Sequence, residues 1–415
     1  MQKQKSISIT FWLRVALFNF CIVALAGVLL RYKINFSLPA LNQKYLLHAH
    51  SHFAFVGWVS TALMALMVQF LKVHQPLKSF HKYNKVFIWN TISAFGMFIA
   101  FIYQGYDLFS ISCSTLSILV SYLFIYYYWY DLKSIEDASF GKHWFKGALI
   151  LLGISSLGAF SLAYLMANKI MIQDLYFSAI YFFLHFQYNG WFLFACFGIF
   201  FAYLYQKGFH DLAQVSKRLF NIMALTVAPT YCLSILWLKL PKILVYIANI
   251  SGILQLVVLI FFLQILPIIR KKNSIKISKT AQVIWTMATI AFVLKIVLQM
   301  LSIIPYLSHF AFGFRPIVIG YLHLSFIGII SFFILGYMNE YLKTKHYAIN
   351  GVGLWFFVIG FIVQEFILMT QGLDAMEIKP LPYANILLFY CAVLMALGLL
   401  VMFFKLKNKP QSQIN

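Results

Sequence analysis

Long apolar stretches alternate with short polar segments along the whole chain. Each stretch is close to the roughly 20 residues that an α-helix needs to cross about 30 Å of hydrocarbon. Inside a bilayer a helix satisfies its own backbone hydrogen bonds. The pattern therefore predicts an all-α polytopic membrane protein with twelve transmembrane helices. The twelve apolar runs cover about residues 11–30, 46–70, 86–104, 110–130, 147–166, 176–205, 219–238, 243–266, 281–304, 317–338, 350–370 and 384–404.

Composition supports this interpretation and excludes several classes of function. Hydrophobic residues make up 62% of the 415-residue chain and charged residues 10%, whereas soluble domains average about 45–50% and about 25%. Such a composition excludes a cytosolic enzyme, a secreted domain, a nucleic-acid-binding module and a disordered chain. The five cysteines stand singly in apolar runs, so no disulfide framework, zinc ribbon or covalently attached c-type haem is expected.

The basic residues predict an orientation. The chain has 32 Lys and Arg against 10 Asp and Glu, a net charge of +22. Most of the Lys and Arg residues precede the first run or lie in alternate loops, such as 72–85 and 270–279. Because cytoplasmic loops are enriched in Lys and Arg, we expect an integral protein of a bacterial inner membrane with both termini in the cytoplasm. No linker divides the chain, so residues 1–415 are expected to form a single membrane domain.

One short pattern, H-x4-G-x7-[G/A], occurs three times. It starts at His52 in run two, at His185 in run six and at His323 in run ten, with four runs in each interval. The spacing predicts internal repeats over about residues 1–140, 141–275 and 276–415, that is, four-helix units in a pseudo-three-fold arrangement. Small residues allow membrane helices to approach closely, so each repeated helix is expected to pack through its small positions and to present its histidine inward.

The intramembrane histidines have two interpretations. A single imidazole there is often a hydrogen-bonded structural group. Three imidazoles at similar depth and repeat phase favour a functional site, because an ionisable group inside the membrane costs free energy and is seldom kept without a function. Run two also contains His48 and His50. His48 and His52 are four residues apart and share a helix face, whereas His50 points elsewhere. The repeat phase favours His52 in this run, and a register shift of one turn would favour His48.

These features together resemble the catalytic subunit I of haem–copper oxidases, in the branch that includes cytochrome c oxidases and nitric oxide reductases. The resemblance rests on the strings His48-Ala-His50-Ser-His52, His185-Phe-Gln-Tyr188-Asn-Gly190 and Tyr321-Leu-His323-Leu-Ser-Phe-Ile-Gly328. It implies a low-spin haem b between His323 and one of His48, His50 and His52. It further implies that His185 binds a metal, which would belong to a second haem or to a copper or iron site. Electrons would come from a donor subunit or a small redox protein.

The chain departs from the family pattern at two places that concern catalysis. The family's tenth span carries two histidines, and here Tyr321 takes the place of the first. Its seventh span carries a histidine pair, and run seven here, residues 219–238, has none. These departures predict an incomplete binuclear centre, and they leave the catalytic residues unknown. The expected function is that of a haem-binding oxidoreductase that transfers electrons or reduces a small gas.

A function from another class stays open. Twelve spans are also common among secondary transporters, so the same scaffold without haem would suit a non-redox transporter of a metal or a small solute. Lys295 in run nine and Gln364 and Glu365 in run eleven are the polar side chains expected within the membrane that would serve either function. Membrane lipid is the expected surrounding, and nucleic acid is not an expected partner.

Overall fold

The computed structural model describes residues 7–135, 140–271, 277–373 and 381–406. Helices make up 84% of the structure, and the described residues contain no strand. Within those residues, eleven helical segments are long and apolar enough to cross a membrane. This confirms the predicted class, an all-helical polytopic membrane protein.

The helices follow one another with short connections. Their bounds in chain order are α1 (Ile9–Asn35), α2 (Gln43–Phe53), π1 (Ala54–Ser60), α3 (Thr61–His74), α4 (Lys82–Gln104), α5 (Leu108–Lys133), α6 (Gly141–Ala167), α7 (Gln173–His185), π2 (Phe186–Phe192), α8 (Leu193–Gln206), α9 (Ala213–Thr226), α10 (Tyr231–Ser234), α11 (Lys242–Leu263), α12 (Ile265–Lys271), α13 (Lys279–Leu301), α14 (Pro305–Gly313), α15 (Arg315–His323), π3 (Leu324–Ser331), α16 (Phe332–Lys343), α17 (Gly351–Leu373) and α18 (Ala384–Phe404). The segments that meet the criteria for spanning are α1, α2–π1–α3, α4, α5, α6, α7–π2–α8, α11–α12, α13, α15–π3–α16, α17 and α18.

The remaining predicted span, residues 219–238, is interrupted. α9 ends at Thr226, and only the four residues of α10 follow in α-helical form. Pro229 has no amide hydrogen to donate. Beyond it, the amides of Tyr231, Cys232 and Leu233 bond to carbonyls three residues back. The change in hydrogen-bond spacing is why this stretch is not one long α-helix.

The helices group into two compact units. The first contains the described residues of Met1–Phe124, Ile277–Met287 and Ser331–Asn415. In it, α1 packs against α18, α2, π1 and α3, and α17 packs against α18. The rings of Phe20 and Trp58 are stacked with centroids 4.3 Å apart, and Trp58 donates its indole N–H to Ser331 Oγ at 2.9 Å.

The second unit contains the described residues of Ile125–Lys276 and Ala288–Ile330. Here α6 packs along α7, π2 and α8, while α9 packs against α11. Trp144 of α6 is fully buried and donates its indole N–H to Ser216 Oγ of α9 at 3.0 Å. A methyl group at Gly158 of α6 would lie 2.6 Å from the backbone nitrogen of Phe183, so α6 and α7 are in close backbone contact.

The predicted orientation and the three predicted repeats stay predictions. Several basic residues that entered the orientation argument lie outside the described residues, namely Lys3, Lys5, Lys272, Lys276, Lys379, Lys407 and Lys409.

Candidate functional site

A π-helix follows each of the three repeated histidines. π1 begins two residues after His52, whereas π2 and π3 begin directly after His185 and His323. π-helical turns are rare and frequently occur at functional sites. The three strings therefore share a local backbone form that the hydrophobic pattern does not predict.

Side chains of neighbouring helices bond to the carbonyl groups of π1. Asn19 of α1 donates to the Gly57 carbonyl at 2.7 Å, and Asn90 of α4 donates to the Val56 carbonyl at 3.2 Å. Thr61 donates its hydroxyl to the same Val56 carbonyl at 3.0 Å and accepts from Asn90 at 2.9 Å. Asn19, Thr61 and Asn90 are fully buried. These bonds engage the amide nitrogens of Asn19 and Asn90 and the Thr61 hydroxyl, whereas the two amide oxygens are buried without a hydrogen-bond partner.

The small residues at the end of the repeat lie in tight contacts. A methyl group at Gly198 would lie 2.6 Å from Cε1 of Phe145, and one at Gly336 would lie 2.5 Å from Nε1 of Trp285. Ala65, the corresponding residue of the first repeat, is fully buried. These contacts confirm that the small positions allow neighbouring helices to approach.

His50 faces α1. Its Nδ1 lies 3.0 Å from the Val23 carbonyl, and a methyl group at Gly27 would lie 3.4 Å from its Cε1. A carbonyl only accepts, so Nδ1 carries the proton and Nε2 carries the lone pair. Metal-bound histidines commonly donate the other ring N–H to a backbone carbonyl, which fixes the tautomer. His50 therefore has the tautomer of an iron ligand, and within the described residues no hydrogen bond engages its Nε2.

His48 and His52 face the end of α4 instead. Nε2 of His52 lies 3.1 Å from the Tyr106 hydroxyl, and its ring stacks on Phe101 with centroids 4.6 Å apart. The His48 ring meets the Tyr106 ring nearly at right angles, with centroids 4.6 Å apart. Nε2 of His48 is buried and has no hydrogen-bond partner. The prediction that His48 and His52 share a face, and that His50 points elsewhere, is confirmed.

Two local features bring α2 and Tyr106 together. The Asn42 side chain accepts hydrogen bonds from the amides of Lys44 and Tyr45 and so caps the start of α2. α4 ends at Gly105, whose φ of +68° suits glycine and where a methyl group would collide with the Tyr45 ring. The following residue, Tyr106, lies between two spans, and desolvation raises its pKa to about 12. Its phenol is therefore protonated at neutral pH and forms a hydrogen bond with Nε2 of His52.

His185, at the end of α7, is buried with partners on both ring nitrogens. Nε2–H donates to the Val227 carbonyl at 2.7 Å. Nδ1 accepts from the Ser234 hydroxyl at 3.1 Å and from the Asn189 amide at 3.2 Å. This is the bonding of a structural histidine. The metal role predicted for His185 stays a prediction, and it would require Nδ1 to release both donors.

The interruption of run seven explains why the Val227 carbonyl meets His185. In a continuous α-helix this carbonyl would accept from the amide of Tyr231, four residues on. Past Pro229 that amide bonds to Ala228 instead. The Val227 carbonyl is then shared by the Thr230 hydroxyl at 3.0 Å and His185.

In run ten, His323 is half-buried at the end of α15. Tyr321, at the position where the resemblance implies a histidine, packs against Tyr188 of π2 with ring centroids 6.4 Å apart. The Tyr188 ring also contacts the Phe326 ring, with centroids 5.5 Å apart. Tyr321 therefore lies in an aromatic environment.

The other polar residues expected within the membrane are distributed over both units. Lys295 of α13 is 3% exposed and donates to Gln299 Oε1 at 3.0 Å. No carboxylate of the described residues forms an ion pair with it. Gln364 of α17 is buried and Glu365 beside it is half-buried.

In the part of the chain that the structure describes, no three side chains among His, Cys, Asp and Glu come together as a metal site. No protein-family model matches the chain, and a search of curated proteins finds no significant match. The assignment of function therefore depends on the residues themselves.

Four groups that contact these histidines are not predicted from the sequence, and the spacing of residues could have indicated only one of them. Asn189 follows His185 by four residues, a spacing that brings two helical side chains together. Ser234, Tyr106 and the Val23 carbonyl reach their histidines through tertiary packing, which no spacing in the sequence predicts.

Proposed function

We propose that this chain is a haem-binding membrane redox protein in which His50 is an axial ligand of the iron. The observation that carries the proposal is the Val23 carbonyl, which holds the ring proton on Nδ1 and leaves the Nε2 lone pair to a metal. His52, favoured by the repeat phase, has Nε2 bonded to Tyr106. Of the three histidines in this run, His50 suits an axial position best.

His323 would be the second residue to hold the haem, on the resemblance to haem–copper oxidases alone. A low-spin haem b held by two imidazoles would supply one-electron transfer. The Val23 carbonyl orients the His50 imidazole. Because no Cys-x-x-Cys-His motif is present, the haem would be held without covalent bonds to cysteine.

The residues do not fit a second metal of the family's binuclear centre. Both nitrogens of His185 are bonded to protein groups, and Tyr321 is packed against Tyr188. We therefore propose electron transfer and derive no gas-reduction step.

The proposal includes a finer architecture. Residues 213–238 would form the seventh of twelve spans despite the turn at Pro229, giving three four-helix units with both termini in the cytoplasm of a bacterial inner membrane. The connections between helices are too short to hold a soluble donor domain. We propose a donor subunit or a small redox protein as the source of electrons.

The test is an optical spectrum of the purified full chain, expressed with haem in excess, first air-oxidised and then reduced with dithionite. Sharp reduced α and β bands that carbon monoxide leaves unchanged are expected for a six-coordinate haem. His50→Gln and His323→Gln should each lose these bands, whereas the matched variant His52→Gln should keep them. A flat spectrum from folded wild-type protein, or full bands in His50→Gln, would contradict the proposal.

Transport of a metal or a small solute is a second candidate, favoured by the turn at Pro229. Interrupted membrane helices have carbonyl groups outside the α-helical hydrogen-bond pattern, and such groups bind ions in transporters. Here the Val227 carbonyl lies outside that pattern, and an ion would replace its bonds to His185 and the Thr230 hydroxyl. Uptake of Zn²⁺ into proteoliposomes by haem-free protein, reduced in Pro229→Ala, would support transport. Sealed proteoliposomes that take up no Zn²⁺ would argue against Zn²⁺ as the transported metal.

A further inference from the structure

A pair of histidines stays outside the proposed haem ligation. His48 and His52 lie one turn apart on α2, so their Cβ atoms are about 5–6 Å apart. Both rings contact Tyr106, His52 through a hydrogen bond of 3.1 Å and His48 through ring centroids 4.6 Å apart. We call these three residues the His–Tyr cluster.

His48 is the unusual member of the His–Tyr cluster. Its Nε2 is buried and has no hydrogen-bond partner, although buried polar atoms nearly always have one. An imidazole nitrogen with its lone pair is a common ligand of zinc, copper and nickel. The missing partner of His48 is therefore accounted for if a metal ion binds here.

We propose that His48 and His52 bind one first-row transition-metal dication, Zn²⁺ or Cu²⁺, through their Nε2 atoms. Two histidines four residues apart on one helix are a known chelating pair for zinc. Binding gives Nε2 of His48 a partner and displaces the Tyr106 hydroxyl from His52. Water fills the remaining coordination positions.

The position of the His–Tyr cluster gives a metal ion access from water. His48 lies in the second turn of α2, and Tyr106 belongs to the short connection between α4 and α5. Lys44, one turn before His48, opposes a cation electrostatically, while the exposed Asp107 beside Tyr106 favours one. This metal site is separate from the proposed haem and does not depend on it, because His50 is not one of its ligands.

The experiment uses the purified full chain in detergent, titrated with Cu²⁺ and followed by electron paramagnetic resonance. We expect one saturable site per chain with hyperfine structure from two nitrogen ligands. His48→Gln and His52→Gln should each lose this signal and weaken binding at least tenfold. His81→Gln, which changes an exposed histidine before α4, is the matched control and should leave the site intact.

Two further measurements separate this proposal from the haem and from misfolding. The circular-dichroism spectrum and the elution volume on size exclusion of His48→Gln and His52→Gln should equal those of the wild type, which shows that they are folded, and any Soret band should be unchanged. Tyr106→Phe should bind Cu²⁺ at least as tightly as the wild type, because the competing hydroxyl is gone. Wild-type protein without nitrogen-coordinated copper, or unchanged binding in both histidine variants, overturns the proposal.

Discussion

The ring protons of His50 and His185 are on different nitrogens. His50 donates through Nδ1 to the Val23 carbonyl, and His185 donates through Nε2 to the Val227 carbonyl. The difference has chemical consequences, because a metal binds the nitrogen that lacks the proton. In His50 that nitrogen has no protein partner within the described residues, whereas in His185 two donors engage it.

His185→Phe should therefore lower stability without removing a metal. The change leaves the Val227 carbonyl, Ser234 and Asn189 without their common partner, and each buried polar group left unsatisfied costs about 1–3 kcal/mol. We expect a lower midpoint of thermal unfolding in detergent, with iron and copper content per chain unchanged. His143→Phe, at an exposed position of α6, is the control. Loss of one stoichiometric metal in His185→Phe would instead support the predicted ligand role.

Asn19→Ala should destabilise the first unit. It removes the side-chain donor to the Gly57 carbonyl of π1 at a fully buried site, a loss of about 1–3 kcal/mol. The midpoint of thermal unfolding should fall clearly. Asn168→Ala removes a comparable bond, to the Tyr164 carbonyl, at an exposed helix end and should have little effect. Equal shifts in the two variants would show that burial of the Asn19 bond does not matter.

At the scale of elements, the irregular helices determine where side chains meet. π1, π2 and π3 follow the repeated histidines, and the turn at Pro229 releases the carbonyl that His185 takes up. Elsewhere the helices pack closely through glycine. A methyl group at Gly398 of α18 would lie 2.5 Å from the Gly353 carbonyl of α17.

Gly198→Ala should overpack the contact of α8 with α6. The added methyl group would lie 2.6 Å from the Phe145 ring and 3.1 Å from Cβ of Trp144. Overpacking of a tight interior costs about 1–3 kcal/mol. We expect a lower midpoint of thermal unfolding in Gly198→Ala. Gly351→Ala has no atom within 4 Å of the new methyl group and should show no loss; an unchanged midpoint in both variants would mean that α6 and α8 separate at little cost.

At the scale of the whole molecule, the helices alone do not determine which of their ends faces the cytoplasm, because an apolar helix can cross the bilayer in either direction. The distribution of Lys and Arg predicts this orientation. The connection after α6 is expected outside the cytoplasm and the connection after α8 inside it.

Cysteine labelling checks this orientation. Asn168 and Lys207 are exposed residues at the ends of α6 and α8. An impermeant maleimide added to intact cells should label Asn168→Cys and not Lys207→Cys, whereas both should react after the membrane is opened. The wild-type chain is the control for its own cysteines, of which Cys21, Cys196, Cys232 and Cys391 are buried. The reverse labelling would invert the predicted topology.

Much of the fold could be predicted from the sequence. Eleven of the twelve apolar runs are helices long and apolar enough to cross a membrane in the described structure, because hydropathy and run length indicate such helices directly. The remaining run, run seven, is apolar enough to span a membrane. Pro229 changes its hydrogen bonding locally, and the hydropathy of the run carries no information on that change. The close packing at Gly198 and Gly336 was also predictable, because small residues at a repeated position have that use in membranes.

By itself, the sequence determined the class of the protein, the positions of its spans and the shared face of His48 and His52. These properties are local, since they depend on hydropathy and on the helical period. Only the tertiary structure decided the tautomers of His50 and His185 and the contact of the His48–His52 pair with Tyr106. A ring proton is placed by whichever acceptor the fold brings within hydrogen-bond distance, and for His50 and His185 that acceptor is a carbonyl group of another helix or turn.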